Sequence, residues 1–141
     1  MVNIRKYMII PFEDKGRSFE GVDCWGLVYL LYKEELGITL PTYTDDYKKA
    51  CTIEVQKIID NNKGNWKQVE QKDVEQFDVV LMRSILTVEG KAVIAETHVA
   101  VMVDKHSFIH TEENIGVSLV NLKKDKRVIN RIVGFFRYEK E

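Results

Sequence analysis

One cysteine near the start of this 141-residue chain has surroundings that suit a nucleophile. Cys24 opens an apolar run that continues to Leu36, and Gly37 follows at the position where helices commonly end. Asp23 can cap this helix, which leaves Cys24 among free backbone N–H groups and the positive end of the helix dipole. That environment favours the thiolate, the nucleophilic form of cysteine. The alternative interpretation is a small core residue, because cysteine is commonly buried.

Two histidines are spaced as a unit later in the chain. His98 begins one β-type run and His110 ends the next, both equally far from Asp104. A hairpin centred on Asp104 would place the histidines directly opposite one another, with Cβ atoms about 4.5–5.5 Å apart. One histidine ring could then take the thiol proton of Cys24, while the second ring orients the first. His106, in the turn, is predicted to face solvent.

Two other interpretations of the histidines stay open at this point. They could be ordinary histidines, or two ligands of a metal such as zinc with Cys24 as the third. No Cys-x-x-Cys or His-Glu-x-x-His cluster supports the metal. We therefore expect neither a metal nor another cofactor.

The elements that position these residues are helices first and strands later. A second helix is predicted from Thr44 or Asp45 to about Asn61, with Cys51 on its apolar side as a core residue. From Phe77 onward the hydrophobic period changes to two. The predicted strands are residues 77–82, 85–88, 93–95, 98–103, 108–110, 117–122 and 132–138, with a hairpin at 89–91. This order predicts an α+β fold with helices packed on a mostly antiparallel sheet.

Composition limits the partners and the location of the chain. The formal net charge of −1 gives no general attraction to nucleic acid or to an anionic membrane, so neither is expected as a partner. No apolar stretch reaches the roughly 18 residues of a membrane span. The apolar run before Pro11 is too short for a signal peptide, which predicts a protein that is cytoplasmic when made. Residues 1–141 are predicted to form one domain.

Three motifs together resemble the NlpC-type cell-wall cysteine peptidases. They are Asp23-Cys24-Trp25-Gly26-Leu27-Val28, Thr97-His98-Val99-Ala100-Val101 and Phe108-Ile109-His110-Thr111. Residues 21–28 followed by residues 35–41 are more closely similar to the variant in bacteriophage tail-assembly proteins and their prophage relatives. The resemblance implies a papain-like fold with about five antiparallel strands. It also implies hydrolysis of peptidoglycan stem peptides, usually between D-γ-glutamate and a diamino acid.

The resemblance assigns a role to each matching residue. Cys24 matches the nucleophile, His98 the base and His110 the orienting third residue of a Cys-His-His triad. Asp23 matches an aspartate associated with the free amine of the substrate's first residue. Phage tail proteins are possible partners, with the protein carried in a virion tail or released on lysis.

Some positions depart from the family pattern. Phe12 stands where many members have a tyrosine near the oxyanion, so that hydroxyl is absent unless Tyr7 or another residue supplies it. A usual Gly-Gly pair is reduced to Lys15-Gly16. Phe12 and Trp25 are predicted to contact substrate.

Two other functions remain as alternatives to the peptidase. One is a structural tail-assembly module with weak or lost activity. The other is an intracellular thiol amidase or acyltransferase on the same fold.

Overall fold

The N-terminal part of the chain builds a short ribbon and one buried helix. The computed structural model describes residues 2–48, 57, 59, 61, 62 and 66–139. A helical turn, α1 (Arg5–Met8), precedes a two-stranded ribbon of β1 (Arg17–Ser18) and β2 (Gly21–Val22). Helix α2 (Cys24–Leu31) follows at once and continues as a π-helical turn at Tyr32–Leu36.

The rest of the described chain forms one six-stranded sheet in the order β3-β8-β4-β5-β6-β7. Its strands are β3 (Trp66–Val69), β4 (Val79–Val88), β5 (Lys91–Met102), β6 (Ser107–Glu112), β7 (Gly116–Asn121) and β8 (Ile132–Tyr138). All neighbouring strands are antiparallel. A 3₁₀ turn (Gln71–Asp73) and a helical turn, α3 (Lys126–Ile129), lie between strands. The α+β prediction is confirmed, with six strands in place of about five.

Helix α2 is the buried element predicted from the apolar run. Seven of its eight residues are buried, and Trp25 is the exception. The Asp23 carboxylate caps the helix by accepting a hydrogen bond from the Gly26 N–H at 2.8 Å. Gly37 ends the helical segment in the left-handed region, with φ 66°. Local rules therefore set both ends of the element that carries Cys24.

The sheet is buried on both faces. Val99 and Val101 of β5 pack in the cluster that contains α2. Ala100 and Met102 pack with Phe108 in a second cluster. Because successive strand residues point to opposite faces, β5 contributes to both clusters and forms the centre of the core.

Strands β4 and β5 are longer than the sequence predicted. The predicted hairpin is confirmed, and its turn is Glu89-Gly90, with φ angles of 51° and 79° that suit a tight hairpin. A β-bulge separates the pairs Met82–His98 and Arg83–Glu96, which leaves Thr97 as the extra residue. Beyond the bulge, residues 84–95 form a two-stranded extension that we call the arm.

The predicted second helix lies largely outside the described residues, and so does Cys51. Its start is wrong, because Thr44 and Asp45 lie in a turn in which the Asp46 N–H donates to the Tyr43 carbonyl. Residues 57, 59, 61 and 62 are helical. Within the described ranges, every helix is too short or too polar to cross a bilayer.

Candidate active site

The start of α2 brings Cys24 against the backbone of β5, at the residue before the first histidine. Cys24 is only 2% exposed. Its Sγ lies 3.9 Å from the carbonyl oxygen of Thr97, the residue that precedes His98. The cysteine at the helix start therefore contacts the bulge of β5, at the residue before the predicted base.

The two histidines are in direct contact, as their spacing predicted. Nε2 of His98 lies 2.9 Å from Nδ1 of His110. Their ring centroids are 5.1 Å apart and the rings are inclined by 78°. Both residues are buried, at 1% and 2% exposure, so the contact is shielded from water.

The register of the two strands differs from the predicted one. Val101 pairs with Ile109, so the hairpin is centred on Lys105 rather than Asp104. His98 and His110 are therefore diagonal neighbours and not directly opposite residues. The cause is the Asp104 side chain, whose Oδ1 accepts hydrogen bonds from the backbone N–H groups of His106 and Ser107. This makes Asp104 the first residue of the turn.

The environment of His110 keeps its ring neutral near pH 7. Burial, followed by the neighbouring His98, lowers the pKa of His110 to about 4. Glu112 opposes this shift, because its Oε1 lies 3.8 Å from Nδ1 of His110. Arg131, which lies 3.7 Å from Glu112, lowers the pKa further. A neutral His110 can accept at Nδ1 a hydrogen bond from Nε2–H of His98.

The Asp23 carboxylate is fully buried beneath the start of α2. It accepts hydrogen bonds from the backbone N–H groups of Lys15 and Gly26, each at 2.8 Å. Arg17 donates to it at 2.8 Å, and the Tyr47 hydroxyl donates to its other side. Asp23 has 0% exposure, so these four donors surround it.

Phe12 and Tyr7 lie near opposite ends of the helical segment that begins at Cys24. Phe12 is half-buried and forms a parallel bridge with Val22, two residues before Cys24. The Tyr7 hydroxyl donates to Glu35 at 2.6 Å, near the far end of the helical segment. Tyr7 therefore does not supply the hydroxyl that Phe12 lacks.

Trp25 borders an apolar cavity of about 90 Å³. Its indole Nε1 donates to the Pro41 carbonyl at 2.8 Å, and its ring packs against Tyr43 and Trp66. The side chain is thus fixed between the helix start and the sheet.

Sequence reasoning did not identify Arg17, Tyr47 or Glu112. Arg17 reaches Asp23 because the β1–β2 ribbon pairs it with Val22. Its turn, Phe19-Glu20, has no glycine or asparagine to signal a hairpin. The only available signal for Glu112 was its position two residues after His110, which puts it on the same face of a strand.

Lys15, in the loop before Asp23, stands at one position of the Gly-Gly pair that is usual in the family. Lys15 adopts φ 65°, a region in which side chains other than glycine are disfavoured. Its N–H nevertheless donates to Asp23.

In the part of the chain that is described, no three His, Cys, Asp or Glu side chains are grouped to hold a metal ion.

A buried helix that presents a cysteine at its start, packed on an antiparallel sheet with paired histidines, defines an α+β protein with a candidate thiol site. The model of the NlpC/P60 family matches residues 10–134, and the chain belongs to the NlpC/P60 family. No curated protein matches the chain.

Solved structures share the fold. A protein of the NLP/P60 family from Staphylococcus aureus, described as similar to a lipoprotein, has a TM-score of 0.61 and 21% identity over 96% of this chain and 39% of its own. An NlpC/P60 family protein from Bacillus cereus has a TM-score of 0.61 and 22% identity over 94% of this chain and 36% of its own. The chain therefore spans well under half the length of these two relatives.

A third structure matches over most of its own length. The NlpC/p60 domain of peptidoglycan hydrolase SagA has a TM-score of 0.56 and 16% identity, over 94% of this chain and 90% of that domain. The two structures thus share one fold over most of the length of each.

Proposed function

We propose that this protein is a cysteine endopeptidase that hydrolyses peptidoglycan stem peptides. Cys24 is the nucleophile, His98 the base and His110 the orienting residue. Two observations support the proposal: Cys24 stands at a helix start with its Sγ 3.9 Å from the carbonyl oxygen of Thr97, and the next residue, His98, forms a buried 2.9 Å contact with His110. Family membership supports it, and so does the fold shared with a peptidoglycan hydrolase domain.

The first half of the reaction forms an acyl-enzyme. Nε2 of His98 is engaged by His110, which leaves Nδ1 to take the thiol proton of Cys24. The thiolate attacks the scissile carbonyl carbon and forms a C–S bond. The backbone N–H of Cys24 at the helix start stabilises the oxyanion, a type of donor whose loss costs roughly 3–4 kcal/mol. His98 then protonates the leaving amine as the C–N bond breaks.

The second half of the reaction restores the enzyme. Water gives a proton to His98 and adds to the acyl carbon, and the C–S bond breaks. The proton on His98 returns to the sulfur of Cys24. His110 stays neutral throughout and holds the His98 ring, which follows from the low pKa of His110.

The substrate bond and the biological setting rest on the resemblance of the motifs. The scissile bond proposed is that between D-γ-glutamate and the diamino acid of the stem peptide. The setting proposed is a phage tail or a prophage, because residues 21–28 and 35–41 are similar to the tail-assembly variant.

Cleavage of defined stem peptides tests the function. The purified protein is incubated with L-Ala-γ-D-Glu-diamino acid peptides and with intact sacculi, and the products are followed by mass. Cys24→Ala should abolish cleavage, since Cys24 is the one thiol within the described ranges and is the residue proposed to form the acyl intermediate. His106→Ala is the control, because His106 is an exposed turn residue. Failure of the wild-type protein to cleave either substrate would contradict the proposal and favour a structural tail module.

A further inference from the structure

Nδ1 of His110 lies near two groups that favour opposite positions for a proton. Nε2 of His98 is 2.9 Å away and can donate to a lone pair on Nδ1. Oε1 of Glu112 is 3.8 Å from the same Nδ1. A carboxylate at this range favours an N–H on Nδ1, because its negative charge attracts the proton and repels a lone pair. Glu112 acting alone would therefore draw the proton of the His98–His110 contact onto His110.

The position of this proton decides whether His98 can act as a base. With the proton on Nε2 of His98, the lone pair of that ring is on Nδ1 and can accept a further proton. With the proton on Nδ1 of His110, neutral His98 carries its own proton on Nδ1, and its lone pair is occupied by His110. The two arrangements have the same total charge, so the fixed charges around the pair decide between them.

Arg131 supplies the charge that offsets Glu112. Its Nη1 lies 3.7 Å from Oε2 of Glu112, the oxygen that is not the one near Nδ1 of His110. The guanidinium group stays charged throughout the working pH range. Both side chains are about one-third exposed, so water weakens this pair without removing it. Asp125, the cap of α3, also acts on His110 and does so in the same direction as Glu112.

The base of the arm holds Arg131 in position. Its Nε donates to the Arg83 carbonyl at 3.0 Å, and its Nη2 donates to the Ser84 hydroxyl at 3.4 Å. The Arg83 N–H donates in return to the Arg131 carbonyl at 2.7 Å. With Nε and Nη2 engaged in this way, Nη1 is the nitrogen that pairs with Glu112. A lysine has a single side-chain nitrogen and could not make these three contacts together.

From this geometry we infer that Arg131 is a positioning residue, which pairs with Glu112 and so keeps the proton of the His98–His110 hydrogen bond on His98. The consequence for catalysis rests on the proposed function, because His98 then has the tautomer that a base requires. Arg131 acts through Glu112 and His110 and needs no contact with substrate.

Nitrogen NMR of the histidine rings tests the inference without a substrate. The ring nitrogen shifts distinguish a nitrogen that carries a proton from one that carries a lone pair. At pH 7 we expect a lone pair on Nδ1 of His110 in the wild-type protein and a shift of the proton toward Nδ1 in Arg131→Met. Arg127→Met, at an exposed arginine, is the matched control and should keep the wild-type tautomer. A proton on Nδ1 of wild-type His110, or an unchanged tautomer in folded Arg131→Met, would overturn the inference.

A double variant separates this electrostatic role from a purely structural one. Arg131→Met should slow the alkylation of Cys24 by iodoacetamide at pH 7 by about tenfold, because His98 is then less able to take the thiol proton. Adding Glu112→Gln should restore the rate, since the charge that Arg131 offsets is gone. A rate that does not recover in the double variant would show that Arg131 only holds the arm, and the inference would be wrong.

These readouts distinguish the inference from the proposed function. If the tautomer responds as expected but stem peptides are not cleaved, the peptidase proposal fails and the inference on Arg131 holds. If stem peptides are cleaved but Arg131→Met changes neither the tautomer nor the alkylation rate, the inference alone fails.

A second variant decides the matter if circular dichroism shows that Arg131→Met is unfolded. Glu112→Gln should lower the pKa of His110, because the carboxylate that favours a proton on that ring is removed. An unchanged pKa of His110 in Glu112→Gln, measured by NMR titration, would overturn the inference, as would a proton on Nδ1 of wild-type His110.

Discussion

Nε2 of His98 and Nδ1 of His110 lie 2.9 Å apart between two rings that are almost completely buried. Because His110 is neutral near pH 7, its Nδ1 lone pair can accept the Nε2 proton of His98. That arrangement leaves the lone pair of His98 on Nδ1. The contact therefore selects the tautomer in which the proposed base can accept a proton.

The two histidines should differ in how severely their loss affects catalysis. His98→Ala is expected to lower kcat by roughly 10²–10⁴-fold, because it removes the residue proposed as both base and acid. His110→Ala should leave a higher kcat, since water can replace an orienting group. His110→Asn should recover part of that loss, because its amide oxygen still accepts a hydrogen bond. Equal kcat values for His98→Ala and His110→Ala would contradict these roles.

Alkylation measures the activation of Cys24 without a substrate. Iodoacetamide should modify Cys24 at a pH well below that at which an ordinary thiol reacts, because a helix start and a histidine favour the thiolate. Mass mapping across pH follows the reaction. His98→Ala should move the profile to higher pH, and an unmoved profile would argue against a thiolate–imidazole pair.

His110 should make stability sensitive to mild acid. Its folded pKa of about 4 lies below the ordinary value of 6.5, so the unfolded chain binds the proton first. The contribution of neutral His110 to the free energy of unfolding is complete above pH 6.5. It is lost as the pH falls toward 4, by up to about 3 kcal/mol. Urea unfolding at several pH values should show a smaller loss over this window for His110→Gln than for the wild-type protein. An equal loss of stability in the wild-type protein and in His110→Gln would show that His110 is not the group responsible.

Gly26 is required by the close approach of another backbone segment. A Cβ at this position would lie 2.0 Å from the Gly16 carbonyl oxygen and 3.0 Å from Nη1 of Arg17. Gly26→Ala should therefore lower the free energy of unfolding by about 1–3 kcal/mol. Gly134→Ala is the comparison, since its Cβ would meet the end of the Gln68 side chain at 3.0 Å. Chemical denaturation of both variants measures the difference, and similar losses would contradict the packing argument.

The Arg137–Asp78 pair should contribute more to stability than a surface pair. Nε and Nη2 of Arg137 each lie 2.9 Å from an oxygen of Asp78, whose side chain is 3% exposed. Arg137→Met leaves that carboxylate buried without its charge partner, which should cost about 3 kcal/mol. Lys72→Met is the control, because its pair with Glu70 is about three-quarters exposed on both sides. Its expected effect in urea unfolding is below about 1 kcal/mol.

The features that sequence predicts well here depend on local chemistry. The cap by Asp23 and the left-handed stop at Gly37 are set by neighbouring backbone, so both ends of the helical segment could be predicted. The spacing of the histidines predicted their contact. It did not predict their register, because the Asp104 side chain fixes the turn through its own hydrogen bonds.

Other features depend on contacts between distant residues. Strand β3 is an edge strand paired with β8, and its polar Lys67-Gln68 pair gives it no strong hydrophobic pattern. Tyr47 reaches Asp23 from 24 positions along the chain. No local sequence pattern predicts a hydrogen-bond partner so far along the chain.

The bulge at Thr97 also affects how this fold can vary among related proteins. β4 meets β8 through a second irregularity at Leu81/Met82, so both neighbours of β4 change register beside the base of the arm. The arm can therefore lengthen or shorten in two-residue steps while His98 keeps its place. Its exposed Ile85–Ile94 pair can also be replaced. New sequence can accumulate in the arm without reaching the histidine pair. The bulge thus makes the arm a permissive region for evolutionary change and for engineered insertions.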